Sequence, residues 1–523
     1  MTETDRRPLL LLLALAAVLI GVVLRTWHIG SEPLWLDEAY SAYAAAKGFD
    51  FLWNVVPLYE THPPFYYSLL RVWTLPFGDG LTALRALGLA CGIATLPAAG
   101  FAAREIGRYL GLDRKRQAVF VAIAIVLAAF APMLIEMARQ VRPYPVMILV
   151  IACQTGMLFR LGQHGRLSSP DYAAYLALFA LTLWLHNLGV LYGAATGLAF
   201  LLLVFRRDWT RADWIAFIGG HALVALLWAP AILILADQAP TWISSTWLVF
   251  NWRLLDWGMG ALWAVPLRGA QFAALVLAIF AVMGLARRVR GGRTAGALLL
   301  LAILPVAVAV AISVTLSPVF IPRTMTGVTV PACLLLALGF TLCDTRLRIV
   351  ALGALAFLLV QMATYDVDSR KTGTRYDWYG AVDWVSARFA PGDQVFAYPN
   401  EGALPFRFAV RDLGRTLPTR PIPTDMPTLD GGPGAWNPTG SRGVFSLPTP
   451  QLEAIASAPE TRAVPTVWLL RLGPWAYDKG DHFLHALERD RVQVGHYKSG
   501  PIDIIGLRRK DLPPVAATEQ PKP

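Results

Sequence analysis

Long apolar runs, separated by short polar segments, fill roughly the first two thirds of the chain. A transmembrane helix needs about 20 consecutive apolar residues, and about eleven runs approach this length. They lie near residues 8–25, 81–101, 117–135, 145–160, 171–186, 188–205, 213–235, 271–286, 296–315, 326–343 and 349–365. The first run lacks a small-x-small cleavage site before Arg25, which favours a retained helix over a signal peptide. The pattern predicts a mainly α, polytopic membrane helical bundle of about eleven spans.

The pattern changes after residue 365, where Pro, Gly, Asp and Arg become common and no run of span length returns. The short apolar stretches 393–398 and 466–470 predict buried strands, and 379–389 predicts a helix that ends at Pro391-Gly392. These elements together predict a small α/β domain at the C-terminal end of the chain.

The two patterns divide the chain into three parts. We expect a transmembrane domain at 1–365, whose first outward loop is 26–80. An extracytoplasmic α/β domain should occupy 366–510, and a disordered Pro-rich tail 511–523.

Composition excludes an ordinary soluble protein, because only 15% of the 523 residues are charged, against about 25% in soluble domains. The formal net charge is +11, which at first suggests nucleic acid. The basic residues gather, however, in alternate loops, at 102–116, 160–170, 206–212 and 287–293 and at Arg346 and Arg348. This positive-inside distribution accounts for the excess charge and leaves no basic face for nucleic acid. It predicts an inner (plasma) membrane protein with a cytoplasmic N-terminus and an extracytoplasmic C-terminal domain.

The first outward loop opens with a segment typical of a short amphipathic helix on the membrane surface. Ser31 suits an N-cap and Pro33 suits a first helical turn. Asp37 and Glu38 then place two carboxylates next to each other. Consecutive residues on a helix diverge by about 100°, so we expect different roles for them. The simpler alternative is that both acids only complement the helix dipole.

A second motif follows at Tyr59–Tyr67 (YETHPPFYY). Its two prolines force His62 into an extended conformation and then start a helix. His62 therefore lies next to the N–H groups of a helix N-terminus, which suits an anion. A purely structural cap is the alternative.

The pair of motifs, Leu34–Ala39 (LWLDEA) and Glu60–Tyr67 (ETHPPFYY), resembles membrane glycosyltransferases of the GT-C superfamily. The resemblance is to the bacterial branch related to protein O-mannosyltransferases and lipid A aminoarabinose transferases. It implies a sugar donor carried on polyprenyl phosphate and a reaction at the outer face. Aminoarabinose transferases have a Lys soon after the second acid, whereas this chain has His62, which favours the broader sugar-transferase branch.

The resemblance also implies roles for the acids. Asp37 would be the catalytic base, and Glu60 would belong to the same site. We expect Glu38 and Glu60, the other two predicted catalytic residues, to position the acceptor or tune the base. A carboxylate that removes the proton of an acceptor hydroxyl contributes about 10²–10⁴-fold, and one direct displacement inverts the anomeric carbon. We therefore expect an inverting hexosyl- or pentosyltransferase in the lipid bilayer whose acceptor is a protein, a lipid or a glycan.

Cations for the donor phosphate are expected from other outward segments. The segment between spans three and four holds Arg139, Arg142 and Tyr144, and Arg323 precedes span ten. With His62, these residues are the predicted substrate-binding set. The alternative for each Arg is a side chain that snorkels to the membrane interface.

Three further polar residues, His186, Asn187 and His221, are interpreted as packing or interhelical hydrogen bonding. A divalent metal held by Asp37, Glu60 and His62 is an open alternative, because carboxylate oxygens and imidazole suit several ions. Nothing in their spacing requires a metal, and no cofactor is predicted with certainty.

Two other function classes compete with the enzyme. A transporter or lipid flippase would concentrate ionisable groups and broken helices at the bilayer midplane, whereas here the acids cluster in an outward loop. A non-catalytic scaffold would use its outer domain to bind a partner.

Overall fold

The computed structural model describes residues 3–165, 167, 169–245, 248–371, 376–428 and 447–513. Fifteen helices form the first part of the described chain. They are α1 (Glu3–Thr26), α2 (Leu36–Lys47), α3 (Phe65–Phe77), α4 (Leu81–Tyr109), α5 (Arg114–Phe130), α6 (Pro132–Ala138), α7 (Tyr144–His164), α8 (Pro170–Leu185), α9 (Gly189–Leu203), α10 (Arg211–Ser245), α11 (Trp252–Trp263), α12 (Arg268–Ala286), α13 (Gly291–Thr315), α14 (Thr329–Leu342) and α15 (Arg348–Lys371).

The helices confirm a multi-pass membrane protein, and every predicted span coincides with a helical segment. Within the described residues, seven helical segments are long and apolar enough to cross a membrane, or eight if α5 and α6 form one broken span. Three predicted spans correspond to shorter apolar stretches, Ala14–Thr26, Pro170–Leu185 and Gly189–Leu203. Helices α8 and α9 are only about 24 and 22 Å long at 1.5 Å per residue, short of a hydrocarbon core of about 30 Å. The count of eleven full-length spans is therefore not confirmed.

Helices α5 and α6 meet at a 60° bend. Pro132 has no N–H to give to the carbonyl of Ala128, so the end of α5 has unsatisfied acceptors. The fully buried Arg25 of α1 fills them: its guanidinium donates to Ala128 and Ala129 at 2.9 and 3.0 Å, and also to Gly21 of its own helix. A buried charge in α1 thereby stabilises the break.

The C-terminal part is α/β, as predicted. A five-stranded sheet has the order β2-β1-β3-β5-β4, in which β1 is parallel to β2 and β3, and β5 is antiparallel to β3 and β4. The strands are β1 (Gln394–Tyr398), β2 (Thr419–Pro421), β3 (Thr466–Leu472), β4 (Arg491–Ser499) and β5 (Ile502–Arg509). The helices are α16 (Trp378–Ser386), α17 (Ala403–Asp412), α18 (Thr449–Ser457), α19 (Pro459–Ala463), α20 (Pro474–Tyr477) and α21 (His482–Glu488).

The predicted strands at 393–398 and 466–470 are confirmed as β1 and β3. Helix α15 continues through Lys371, past the predicted boundary at 365, and the division into separate domains stays a prediction. Of the predicted disordered tail, residues 514–523 lie outside the described part of the chain.

The α/β part packs directly on the predicted first loop, residues 26–80. Leu36 of α2 lies against the apolar core that contains Trp378. Tyr43 Oη, also on α2, donates to the Met426 carbonyl at 2.6 Å. Helix α2 is thus held between the bundle and the sheet-containing part.

The prediction that Ser31 caps the first loop helix is wrong, because α2 begins at Leu36. The reason is Arg85 of α4. Its guanidinium donates hydrogen bonds to the carbonyls of Ile29, Glu32 and Pro33 at 2.9, 2.8 and 3.3 Å. One guanidinium can contact all three carbonyls because they converge on it, whereas the carbonyls of a helix all point along its axis. The segment therefore stays non-helical up to Trp35.

Candidate active site

Asp37 lies in the first turn of α2 and is buried, with 7% of its surface exposed. Its Oδ2 is 3.1 Å from Nη2 of Arg323. Its backbone carbonyl accepts hydrogen bonds from Ser41 Oγ at 2.9 Å and from Arg142 Nη1 at 3.4 Å. The structure thereby brings two of the predicted cations to the predicted base.

Arg323 stands near the start of the 3₁₀ segment Pro322–Val328, which leads into α14. Its guanidinium lies 4.8 Å from the centre of the Trp35 ring. Trp35 stacks in turn on Tyr376, with ring centroids 6.4 Å apart. In the part of the chain that the structure describes, Nε of Arg323 has no hydrogen-bond partner. The stacked rings of Trp35 and Tyr376 therefore support the Arg323 guanidinium and leave its Nε donor available.

Glu38 points to different partners from Asp37. Its Oε2 is 2.9 Å from Nη2 of Arg85, and its Oε1 accepts from the Val141 backbone N–H at 2.9 Å. Its Oε2 also accepts from the Trp35 N–H at 3.4 Å. Only 1% of Glu38 is exposed. Both oxygens of this carboxylate accept hydrogen bonds from the protein. They link the first loop to α4 and to the segment before α7.

Glu60 and His62 form the second centre of the site. Oε1 of Glu60, which is buried, is 2.8 Å from His62 Nδ1 and accepts from the His62 backbone N–H at 3.2 Å. The other ring nitrogen of His62, Nε2, is 3.1 Å from Nε2 of the buried His186. The two imidazole rings meet edge to face at 4.5 Å. Both ring nitrogens of His62 are therefore engaged by the protein.

Tyrosines surround this centre. Tyr40 Oη donates to Tyr59 Oη at 2.9 Å, and Tyr40 packs edge to face on Tyr67. Burial raises the pKa of Tyr40 well above its ordinary value, and the charges of Tyr59 and Glu60 add to the effect. The phenol is therefore neutral and acts as a hydrogen-bond donor.

The predicted residues between α6 and α7 separate into two groups. Arg142 is buried, 5.7 Å from the Tyr144 ring, and Tyr144 packs on His186 at 5.9 Å. Arg139 instead donates from Nη2 to the His28 carbonyl at 3.2 Å. Arg142 and Tyr144 thus join the site through Asp37 and His186, whereas the contact of Arg139 is with the start of the first loop.

Several residues of the site were not singled out from the sequence. Arg85 was an isolated charge at the start of an apolar run, which is a signal for a functional or buried partner. Trp35 belonged to the first motif but was given no role of its own. Tyr376 lies in a segment without a motif. His186 was interpreted as packing or interhelical hydrogen bonding, without a named partner.

The structure does not bring Asp37, Glu60 and His62 together as a metal site. No group of three or more His, Cys, Asp or Glu side chains is placed to hold an ion anywhere in the described ranges.

Comparison with solved structures gives matches over nearly the whole chain. ArnT from Cupriavidus metallidurans in the apo state matches with a TM-score of 0.55 at 13% identity, over 95% of this chain and 97% of that one. The same protein bound to undecaprenyl phosphate gives 0.52 at 14%, over 97% and 98%. The apo oligosaccharyltransferase of Archaeoglobus fulgidus gives 0.50 at 12%, over 96% and 74%.

No family model and no curated protein sequence matches the chain. At identities this low, the structural likeness establishes the fold. That fold is the GT-C fold that the two motifs predicted.

Proposed function

We propose that the chain is an inverting glycosyltransferase that moves a sugar from polyprenyl phosphate to an acceptor hydroxyl at the extracytoplasmic face. The observation that carries the proposal is the Asp37–Arg323 pair. It brings a buried carboxylate next to a cation that lies 286 positions later in the chain. A glycosyl transfer needs a base for the acceptor and a cation for the leaving phosphate, and the pair supplies both groups side by side.

The proposed reaction is a single displacement. The acceptor oxygen attacks the anomeric carbon while its proton passes to Asp37. The bond between the anomeric carbon and the phosphate oxygen breaks, and polyprenyl phosphate leaves with the electron pair. Arg323 and Arg142 stabilise the charge that develops on the leaving oxygen.

Arg323 is suited to serve both partners. A guanidinium has five N–H donors in a fixed fork, and a single one of them is bonded to Asp37. The remaining donors can bind a phosphate while the pair persists. Arriving phosphate would also draw the guanidinium partly away from Asp37, which would leave the carboxylate to the acceptor hydroxyl.

The other predicted residues are proposed to position the reacting groups or to bind phosphate more weakly. Glu60 positions the acceptor, and Tyr144 supports Arg142 and His186. Glu38 positions α2 through Arg85. Arg139 stays a proposed phosphate ligand, with one donor on the His28 carbonyl. His62 is the weaker proposed ligand, because both of its ring nitrogens are engaged.

The known relatives support the donor class. ArnT has been solved with undecaprenyl phosphate bound, and the Archaeoglobus oligosaccharyltransferase with a tethered acceptor peptide. We extend the first property to this chain. We also propose an inner-membrane location and an outward orientation of the first loop. The basic loops support that orientation.

The test uses membranes that contain the wild type or Asp37→Asn and a panel of labelled polyprenyl-phosphate sugars. Label that reaches an acceptor only with the wild type supports the proposal and identifies the acceptor. If no donor in the panel yields product, while counterflow of a lipid or solute appears in proteoliposomes, the transporter alternative replaces the enzyme.

A further inference from the structure

The chain of hydrogen bonds that runs through His186 and His62 has only one consistent arrangement of protons. It begins at the backbone N–H of Leu188, which lies 3.0 Å from Nδ1 of His186 and is shared with Asn187 Oδ1 at 2.9 Å. A backbone N–H can only donate. Nδ1 of His186 is therefore an acceptor, and the proton of this neutral imidazole is on Nε2.

The rest of the chain follows from that first bond. The proton on Nε2 of His186 points at Nε2 of His62, 3.1 Å away, so that nitrogen must accept. The proton of His62 is then on Nδ1, where it is donated to Glu60 Oε1 at 2.8 Å. Each hydrogen bond runs in the same direction, from the α8–α9 turn to Glu60. A second proton on either ring would set two N–H groups against each other.

We infer that His186 is a positioning residue of the proposed transferase: it fixes the Nδ1–H tautomer of His62 and thereby the orientation of Glu60. The inference rests on the proposed function for its catalytic consequence. Burial and the cations Arg142 and Arg323, which face His186 from two other segments, oppose a positive charge on the His186 ring, and Tyr144 packs on that ring. Burial completes the constraint, because 2% of His186 is exposed and water cannot replace its partners.

The tautomers predict opposite substitution rules at the two positions. Glutamine reproduces the Nε2 position of histidine and asparagine the Nδ1 position. At His186 the donor is Nε2–H, so His186→Gln should retain about tenfold more kcat than His186→Asn. At His62 the donor to Glu60 is Nδ1–H, so His62→Asn should retain about tenfold more kcat than His62→Gln. A tenfold change is about the net contribution of one hydrogen bond.

The matched control is the exposed His485 of α21, where the Asn and Gln variants should be equally active. All variants are compared at equal amounts of monodisperse protein with unchanged thermal unfolding. Equal activities of Asn and Gln at His62 and His186, or the reverse order at either position, would overturn the inference.

A second readout needs no turnover. In the full-length protein labelled with ¹⁵N-histidine, His62 should show a protonated Nδ1 and a bare Nε2, and His186 the reverse. The signals are assigned by their loss in the His62 and His186 variants. If the tautomers are found but no sugar donor yields product, the proposed function fails and the hydrogen-bond chain stands. If wild-type transfer is observed but the tautomers are reversed, the inference fails and the proposed function stands.

Discussion

Arg323 reaches Asp37 across 286 positions of sequence, with Nη2 and Oδ2 3.1 Å apart. The carboxylate belongs to a helix of the first outward loop, and the guanidinium to the segment that enters α14. The pair therefore exists only when the loop is docked on the bundle. Folding of the loop and assembly of the proposed catalytic groups are the same event.

Replacing Asp37 by Asn should lower transfer by about 100-fold or more, because a general base contributes about 10²–10⁴-fold. The amide has the same shape and retains one oxygen for Arg323, so the amount of folded protein should not change. The measurement is the initial rate of labelled product at matched protein concentration. Asp50→Asn, on the exposed side of the same loop, is the control and should retain full activity. Near-normal turnover of Asp37→Asn would show that Asp37 is not the general base.

Replacing Arg323 by Lys should raise KM for the lipid-phosphate donor about tenfold and change kcat less. An ammonium retains the charge but loses the planar fork and the stacking on Trp35. Steady-state kinetics at varied donor concentration measure the change. Arg268→Lys, in an exposed pair with Asp256, is the matched control. A change confined to KM for the acceptor would contradict the proposed contact with phosphate.

Truncating Glu38 to Ala should destabilise the protein strongly. Its pair with Arg85 is buried, with 1% and 7% of the side chains exposed, and breaking such a pair costs about 3–5 kcal/mol. Asp256→Ala breaks a pair that is 50% and 81% exposed and should cost at most about 1 kcal/mol. Thermal unfolding in detergent compares the two. If Glu38→Ala unfolds like the wild type but is inactive, Glu38 acts on substrate instead.

Replacing Tyr43 by Phe should loosen the contact between α2 and the α/β part by about 1 kcal/mol at neutral pH, since one hydrogen bond to Met426 is lost. Burial raises the pKa of Tyr43 above 10.0, the nearby Asp425 adds to the rise, and Arg407 opposes it. The contribution of this phenol is therefore fully present below pH 10 and is lost as the pH rises through the folded-state pKa. Thermal unfolding of both proteins from pH 7 to 11 should show the difference shrinking only at the alkaline end. A difference that already disappears near pH 8 would contradict this.

The sequence predicted the membrane bundle well, because a helix in lipid must satisfy its own backbone and so needs a long apolar run. It failed at the start of α2, where local capping rules pointed to Ser31. Arg85 lies on another helix, and its guanidinium donates hydrogen bonds to three carbonyls of the loop. This is a tertiary contact, which a local sequence pattern does not contain.

The candidate site was predicted residue by residue but not as an arrangement. Asp37 and Arg323 were both named, yet nothing in their surroundings indicated that they meet. His186 was interpreted as packing or interhelical hydrogen bonding, but its partner could not be named, because His62 is 124 positions away. Residue chemistry is visible in a motif, whereas the pairing of residues from different helices depends on how the helices pack.

Arg25 has a consequence for biosynthesis. Two of its carbonyl partners lie 103 and 104 positions later in the chain, so the guanidinium enters the membrane before they have been made. At about 5–20 residues per second, the ribosome needs roughly 5–20 seconds to supply them. Until then the guanidinium has only the Gly21 carbonyl of its own helix among these three partners. The hydrogen bonds of Arg25 are therefore complete only after α5 has been made, and the broken helix that Arg25 stabilises also secures the beginning of the chain.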